Sequence, residues 1–144
     1  MNRENDLDVT SCEFWDECYN NNDTGWDLGE PTPIFINWCN HLKTSKKICI
    51  PGVGNGYDSL YFASKGHEVT AIDFAQKPIE HLKQKSKINN LNLILLQKDI
   101  FNLDKKLNNK FDFIIEYTCY CAIVPKMRNR YIDIMYELLK EGGQ

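Results

Sequence analysis

Gly52, Gly54 and Gly56 occupy alternate positions between an apolar run, Ile48-Cys49-Ile50-Pro51, and the segment that begins Tyr57-Asp58. The order reads as a buried strand, a tight turn and the start of a helix. Glycine tolerates left-handed backbone and brings no Cβ, so a ligand can lie against bare main chain at a helix N-terminus. Unpaired N–H groups and the positive end of the helix dipole collect there. The spacing is G-x-G-x-G, whereas dinucleotide-binding turns run G-x-G-x-x-G. That difference points to a ligand with a nucleoside but no pyrophosphate, and away from an NAD-dependent oxidoreductase. A plain tight turn is the alternative, and the position of the turn within the chain weighs against it.

The surrounding pattern is strand–helix alternation. Thr32-Pro33 reads as a helix cap with Pro at the first helical position, and Ile34, Phe35, Trp38, Cys39 and Leu42 share one face of a helix running to about residue 43. Then come a strand (46–50), the glycine turn, a helix (57–65), a strand (68–72), a helix (78–89), a strand (93–97), a strand (111–116) and a helix (126–140). Residues 13–20 read as a short helix or turn, 20–25 as a loop, and 100–110 as a short helix or a loop. Leu93–Leu96 and Phe113–Ile115 are continuous apolar runs, as in parallel strands covered on both faces. Such alternation with right-handed crossovers implies a doubly wound α/β sheet. Gly142-Gly143 makes a cap and turn after the last helix. A sheet ending at strand 111–116 leaves that edge open for self-association or a partner.

A chain of 144 residues with a net charge of −3 makes one domain, with no concentration of Lys or Arg for nucleic acid or an anionic membrane. The lysines of 43–47 and 83–87 read as solvated faces. No apolar run approaches the ~20 residues that span a bilayer. Met1–Asp8 is polar and acidic, unlike a signal peptide. The cysteines at 12, 18, 39, 49, 119 and 121 contain no C-x-x-C pair, and Cys49 falls inside a buried strand. Reduced thiols in a cytoplasmic protein are expected, rather than zinc or disulfides.

Candidate ligand residues fall at the strand ends, which share one rim of a parallel sheet. Asp73 closes the second strand, where a carboxylate can accept from both ribose hydroxyls, with Phe74 beside it; a capping or turn aspartate is the plainer alternative. Asp99, after the third strand, can accept from an adenine amino group while Ile100 or Phe101 covers the ring, and a capping role stands equally. Glu116 and Tyr117 close the fourth strand. With Thr118-Cys119-Tyr120-Cys121 they face the mouth beside the glycine turn, where the reactive end of the ligand would lie. Tyr117 and Tyr120 are the candidates for the acceptor side. A Cys119 or Cys121 nucleophile is the rival, but no neighbouring His, Asn or Asp pattern activates either thiol. His41, His67 and His81 read as surface residues. Trp15, Tyr19 and Trp26 form an aromatic set that either packs in the core or acts as a lid, presenting ring faces to a cation and excluding water. S-adenosylmethionine, a nucleoside carrying a cationic sulfonium, is the cofactor these features suggest.

Phe14-Trp15-Asp16 and Thr24-Gly25-Trp26-Asp27-Leu28-Gly29-Glu30-Pro31-Thr32-Pro33 resemble the N-terminal signature of thiopurine S-methyltransferase-like enzymes. Pro51–Asp58 and Phe111–Ile123 are most similar to the halide and thiol methyltransferase branch. The resemblance covers residues 13–143. It implies a Rossmann-like class I methyltransferase, a three-layer α/β sandwich using S-adenosylmethionine and no metal. Trp15, Trp26, Gly52, Asp73, Asp99 and Tyr117 would fall on cofactor-contacting positions. Tyr19 stands where that branch usually has tryptophan, Val53 replaces a frequent cysteine, and Glu116 a common aspartate. The expected domain is residues 1–144: an N-terminal lid and helix (1–43) and an α/β core (44–144) truncated at its C-terminus, without strands five to seven. The implied activity is methyl transfer to a small-molecule thiol, sulfide, halide or thiocyanate. A truncated, non-catalytic binder of S-adenosylmethionine is the alternative.

Overall fold

The computed structural model describes residues 8–144, so the signal-peptide expectation rests almost wholly on residues outside those described. Ten elements follow in chain order: α1 (Cys12–Asn20), α2 (Pro33–Asn40), β1 (Lys47–Pro51), α3 (Tyr57–Ser64), β2 (Glu68–Asp73), α4 (Gln76–Ile88), β3 (Leu93–Gln97), β4 (Phe113–Ile114), α5 (Cys119–Ala122) and α6 (Arg128–Leu138). Residues 100–110, left between helix and loop by the sequence, hold two single 3-10 turns. The sheet is parallel throughout, in the order β3-β2-β1-β4, so the chain starts centrally, steps outward through β2 and β3, and crosses back to β4. That reversal beside β1 opens a crevice at the carboxyl ends of the strands. No helix among the described residues is long and apolar enough to cross a membrane.

Alternation along β1 divides the core between the two faces of the sheet. Ile48 and Ile50 pack with Cys39 of α2, Phe62 of α3 and Val69 of β2, while Trp38 sets its edge against Phe62 and Phe113. Cys49 faces the other way, into Ile72, Phe111 and Leu138, with Ile134 and Met135 of α6 closing that side. Burying each large apolar side chain contributes about 1.5–3 kcal/mol. These two clusters fix the sheet as the middle of three layers.

Two expectations need correction. The fourth strand was expected over 111–116, but regular pairing is confined to Phe113–Ile114. Its backbone is shared between two neighbours: Asp112 N–H and Ile115 N–H donate to Lys47 and Cys49 of β1, while Ile114 N–H donates to Gln144. Gln144 N–H returns a bond to Asp112, and Phe111 bridges Leu139. Residues 139–144 therefore lie along the outer edge of β4, which is not bare. His67, expected at the surface, is 8% exposed; its Nδ1 accepts from Lys46 N–H at 3.1 Å, joining the turn before β2 to the segment before β1.

Candidate ligand site

The strand-to-helix turn has the backbone its glycines require. Gly52, Gly54 and Gly56 all take positive φ, at 59°, 56° and 74°. Each also sits close against a neighbour, with no room for a Cβ at Gly52 or Gly56 and a tight fit at Gly54. A Cβ on Gly56 would stand 2.6 Å from Leu82 Cδ1, so this glycine lets α4 pack against the start of α3. At Gly52 the close neighbour is Cys119 Sγ, 2.7 Å from the Cβ position, and at Gly54 it is the Tyr19 hydroxyl, 3.0 Å away. Cys119 is delivered there by Thr118, a β-branched residue at φ 65°, a backbone state that costs about 1–3 kcal/mol.

Asp73 joins the turn to the rim. Its Oδ2 accepts from Gly54 N–H at 3.1 Å and its Oδ1 from Ala75 N–H at 3.0 Å. Burial pushes the carboxyl up to about 6, against the pull of those backbone bonds. The turn role and the cavity-facing position are thus both occupied by one side chain. Asp99 likewise caps the 3-10 turn through Phe101 N–H at 2.9 Å while standing on the cavity rim with Ile100 and Phe101. Opposite them, Trp15 meets Trp26 edge-on with ring centroids 5.5 Å apart, and Tyr19 meets Trp26 at 6.0 Å. Burial, with the Asp73 charge adding to it, keeps the Tyr19 hydroxyl protonated.

These parts enclose one cavity of about 730 Å3. Trp15, Tyr19, Trp26, the three glycines, Asp73, Phe74, Asp99, Ile100, Phe101 and Tyr117 all line it. Glu116 and Tyr120 do not. Glu116 Oε2 accepts from Tyr120 N–H at 2.9 Å, holding the start of α5, and the Tyr120 ring packs outward against Tyr131 and Arg128. The Cys119 thiol is pushed up to about 12 by burial and the Glu116 charge, so it stays protonated at neutral pH and is a poor nucleophile.

The profile of the thiopurine S-methyltransferase (TPMT) family matches residues 10–144. The chain belongs to the thiopurine S-methyltransferase family. Within it, the chain is 32% identical over 137 residues to a protein named probable thiol methyltransferase 2 from Arabidopsis thaliana. It is 31% identical over 141 residues to thiocyanate methyltransferase 1 from Brassica oleracea. Both alignments take in 90% of this chain and 58% of the relative, so the chain spans somewhat over half the length of these family members. Among solved structures, Burkholderia thailandensis 1,6-didemethyltoxoflavin-N1-methyltransferase, with 1,6-didemethyltoxoflavin and S-adenosylhomocysteine bound, superposes with a TM-score of 0.80 at 20% identity. That match covers 99% of this chain and 62% of the other. The likeness establishes the shared fold, a class I methyltransferase α/β sheet, of which four strands are present among the described residues.

In this family member the N-terminal layer is tied down by carboxylates that the sequence pattern did not single out. Asp27 bonds Asn55 in the glycine turn and accepts from Gly29 N–H at 2.7 Å. Asp58 of α3 accepts from Thr32 N–H at 2.7 Å and from its hydroxyl at 2.9 Å, and Asp16 of α1 reaches α4. Asp27 and Asp58 also line the cavity, as do Lys126 and Arg130, the latter donating to the Phe101 carbonyl oxygen at 3.0 Å. The available signal was the motif Thr24–Pro33, in which Asp27 bonds Asn55 of the turn and Thr32 bonds Asp58.

Proposed function

We propose that this chain binds S-adenosylmethionine above the glycine turn and directs its methyl group to a small soft nucleophile: a thiol, sulfide, halide or thiocyanate. One observation carries the reading: the half-buried Asp73 carboxylate, the positive-φ glycines and the Trp15–Tyr19–Trp26 wall converge on a single cavity. The residues present fit that cofactor. Each Asp73 oxygen holds one backbone N–H and retains acceptor capacity for ribose hydroxyls. Ile100 and Phe101 offer an apolar strip for adenine, with Asp99 as acceptor for its amino group, and the aromatic wall suits a cation. When bound, S-adenosylmethionine supplies a methyl group on a positively charged sulfur, already activated for displacement.

What the chain contributes is approach geometry and a dry site. Tyr117 stands on the cavity wall at the carboxyl end of β4 and is our candidate for the acceptor side. Lys126 and Arg130 also line the cavity, and Arg130 stands over Phe101, donating to its carbonyl oxygen at 3.0 Å, beside the strip offered to adenine. Tyr120, turned outward, has no part in this reading. The test is incubation with methyl-labelled S-adenosylmethionine and, separately, iodide, thiocyanate, hydrosulfide and small thiols. Labelled methyl product with matching S-adenosylhomocysteine is expected. Binding without turnover on every acceptor would instead favour a non-catalytic binding domain, and binding of NADH but not S-adenosylmethionine would restore the dinucleotide reading.

A further inference from the structure

We propose that Asp16 is a positioning residue for cofactor capture: it caps α4 from α1 and thereby holds Trp15 and Tyr19 over the glycine turn. The proposal rests on the cavity being the S-adenosylmethionine site. The first amides of a helix have no partner within it, and the cap position of α4 is Ala75, which has no side-chain acceptor. Three consecutive N–H groups are nevertheless satisfied. Ala75 N–H donates to Asp73 Oδ1 at 3.0 Å, Gln76 N–H to Asp16 Oδ2 at 3.2 Å, and Lys77 N–H to Asp16 Oδ1 at 2.8 Å. One helix end is thus gripped by a cavity carboxylate from the sheet and by a carboxylate from 60 residues upstream. The positive end of the α4 dipole favours both.

The consequence lies on α1. Trp15 and Tyr19 are one helical turn apart on the same face, with Asp16 between them. The Tyr19 hydroxyl closes over Gly54, whose N–H is held by Asp73. Among the described residues, Asp16 makes the only hydrogen bonds from α1 to the α/β core; the Asp27–Asn55 and Asp58–Thr32 bonds hold the segment after it. Releasing Asp16 would leave α1 attached by apolar packing alone and would free the wall that covers a bound ligand.

The test compares the full chain with Asp16→Ala and Asp16→Asn in two measurements. The first is the stopped-flow dissociation rate of S-adenosylhomocysteine. The second, made without ligand, is acrylamide quenching of tryptophan fluorescence, where Trp15 and Trp26 line the cavity and Trp38 packs in the core as a constant background. Asp16→Ala is expected to raise the dissociation rate about tenfold, the scale of a lost cap, with little change in association rate and with stronger quenching. Asp16→Asn, which keeps one acceptor oxygen, should fall between. A dissociation rate and quenching equal to the parent's in either folded variant overturn the proposal. If the parent itself fails to bind S-adenosylhomocysteine, the cofactor reading falls. The ligand-free quenching then decides by itself whether Asp16 holds the wall.

Discussion

Asp73 is asked to do two things that conflict below neutral pH. In the ligand-free fold its carboxyl is raised to about 6 by burial, so its protonation supports the fold fully below the unfolded value of 3.8, and that contribution is lost as pH rises through about 6. A ribose partner has the opposite demand, because only the ionised group accepts from both hydroxyls, and affinity is lost as pH falls through the same range. The rise in melting temperature produced by S-adenosylhomocysteine should therefore be larger at about pH 7.5 than at about pH 5, and Asp73→Asn should flatten the difference. A ligand-induced rise that ignores pH in the parent would remove Asp73 from the site. Asp73→Ala should weaken binding by about 1.5–3 kcal/mol, the scale of charge-assisted hydrogen bonds, in a calorimetric titration. Trp26→Ala should cost binding about 1 kcal/mol while leaving a cooperative thermal transition; loss of the transition would make the ring a core residue. The cavity-rim positions of Asp73 and Asp99 were legible because residue type and strand-end position carry the argument. Asp16, Asp27 and Asp58 were not, since nothing local pairs a carboxylate with a backbone N–H or a side chain 26 or more residues away.

Among the elements, the glycine turn and its helix are the most tightly determined. Gly56 combines a φ of 74° with a Cβ position 2.6 Å from the fully buried Leu82. Gly56→Ala should destabilise the protein by about 2–4 kcal/mol in urea unfolding, from left-handed strain plus overpacking. Adding Leu82→Ala should remove only the packing part of the Gly56→Ala cost, leaving the backbone penalty. If the cost of Gly56→Ala is unchanged beside Leu82→Ala, the contact with α4 is not what the glycine serves. Strands β1, β2 and β3 fall within one residue of their expected limits because polar, glycine or proline residues bound their apolar cores. The fourth differs because its apolar run does not say which neighbour each backbone N–H meets: those of Asp112 and Ile115 go to β1, and that of Ile114 goes to Gln144. Cys119 was expected beside the glycine turn, but its contact with Gly52 was not, because it depends on Thr118 adopting a φ of 65° that no β-branched residue prefers.

The whole molecule is a parallel sheet with an N-terminal layer bound across its ligand rim and a final segment laid along the β4 edge. That segment depends on Gly143, where a Cβ would stand 2.9 Å from the Lys140 carbonyl oxygen and 3.0 Å from that of Phe111. Gly143→Val should lift residues 139–144 away, expose the backbone of Asp112 and Ile114, and increase self-association in sedimentation velocity. A variant that stays as the parent is would show that this edge is protected by something other than pairing. The α/β class was readable from strand–helix alternation, but the tie between the N-terminal layer and the core was not, because it is made by side chains rather than by a periodic pattern. The central question for this molecule is whether the cavity holds S-adenosylmethionine's product. Isothermal titration of the chain with S-adenosylhomocysteine, with NADH as the comparison, asks this directly. A saturable one-site isotherm for S-adenosylhomocysteine and none for NADH is the result expected. No heat of binding from S-adenosylhomocysteine to the folded protein would contradict the account.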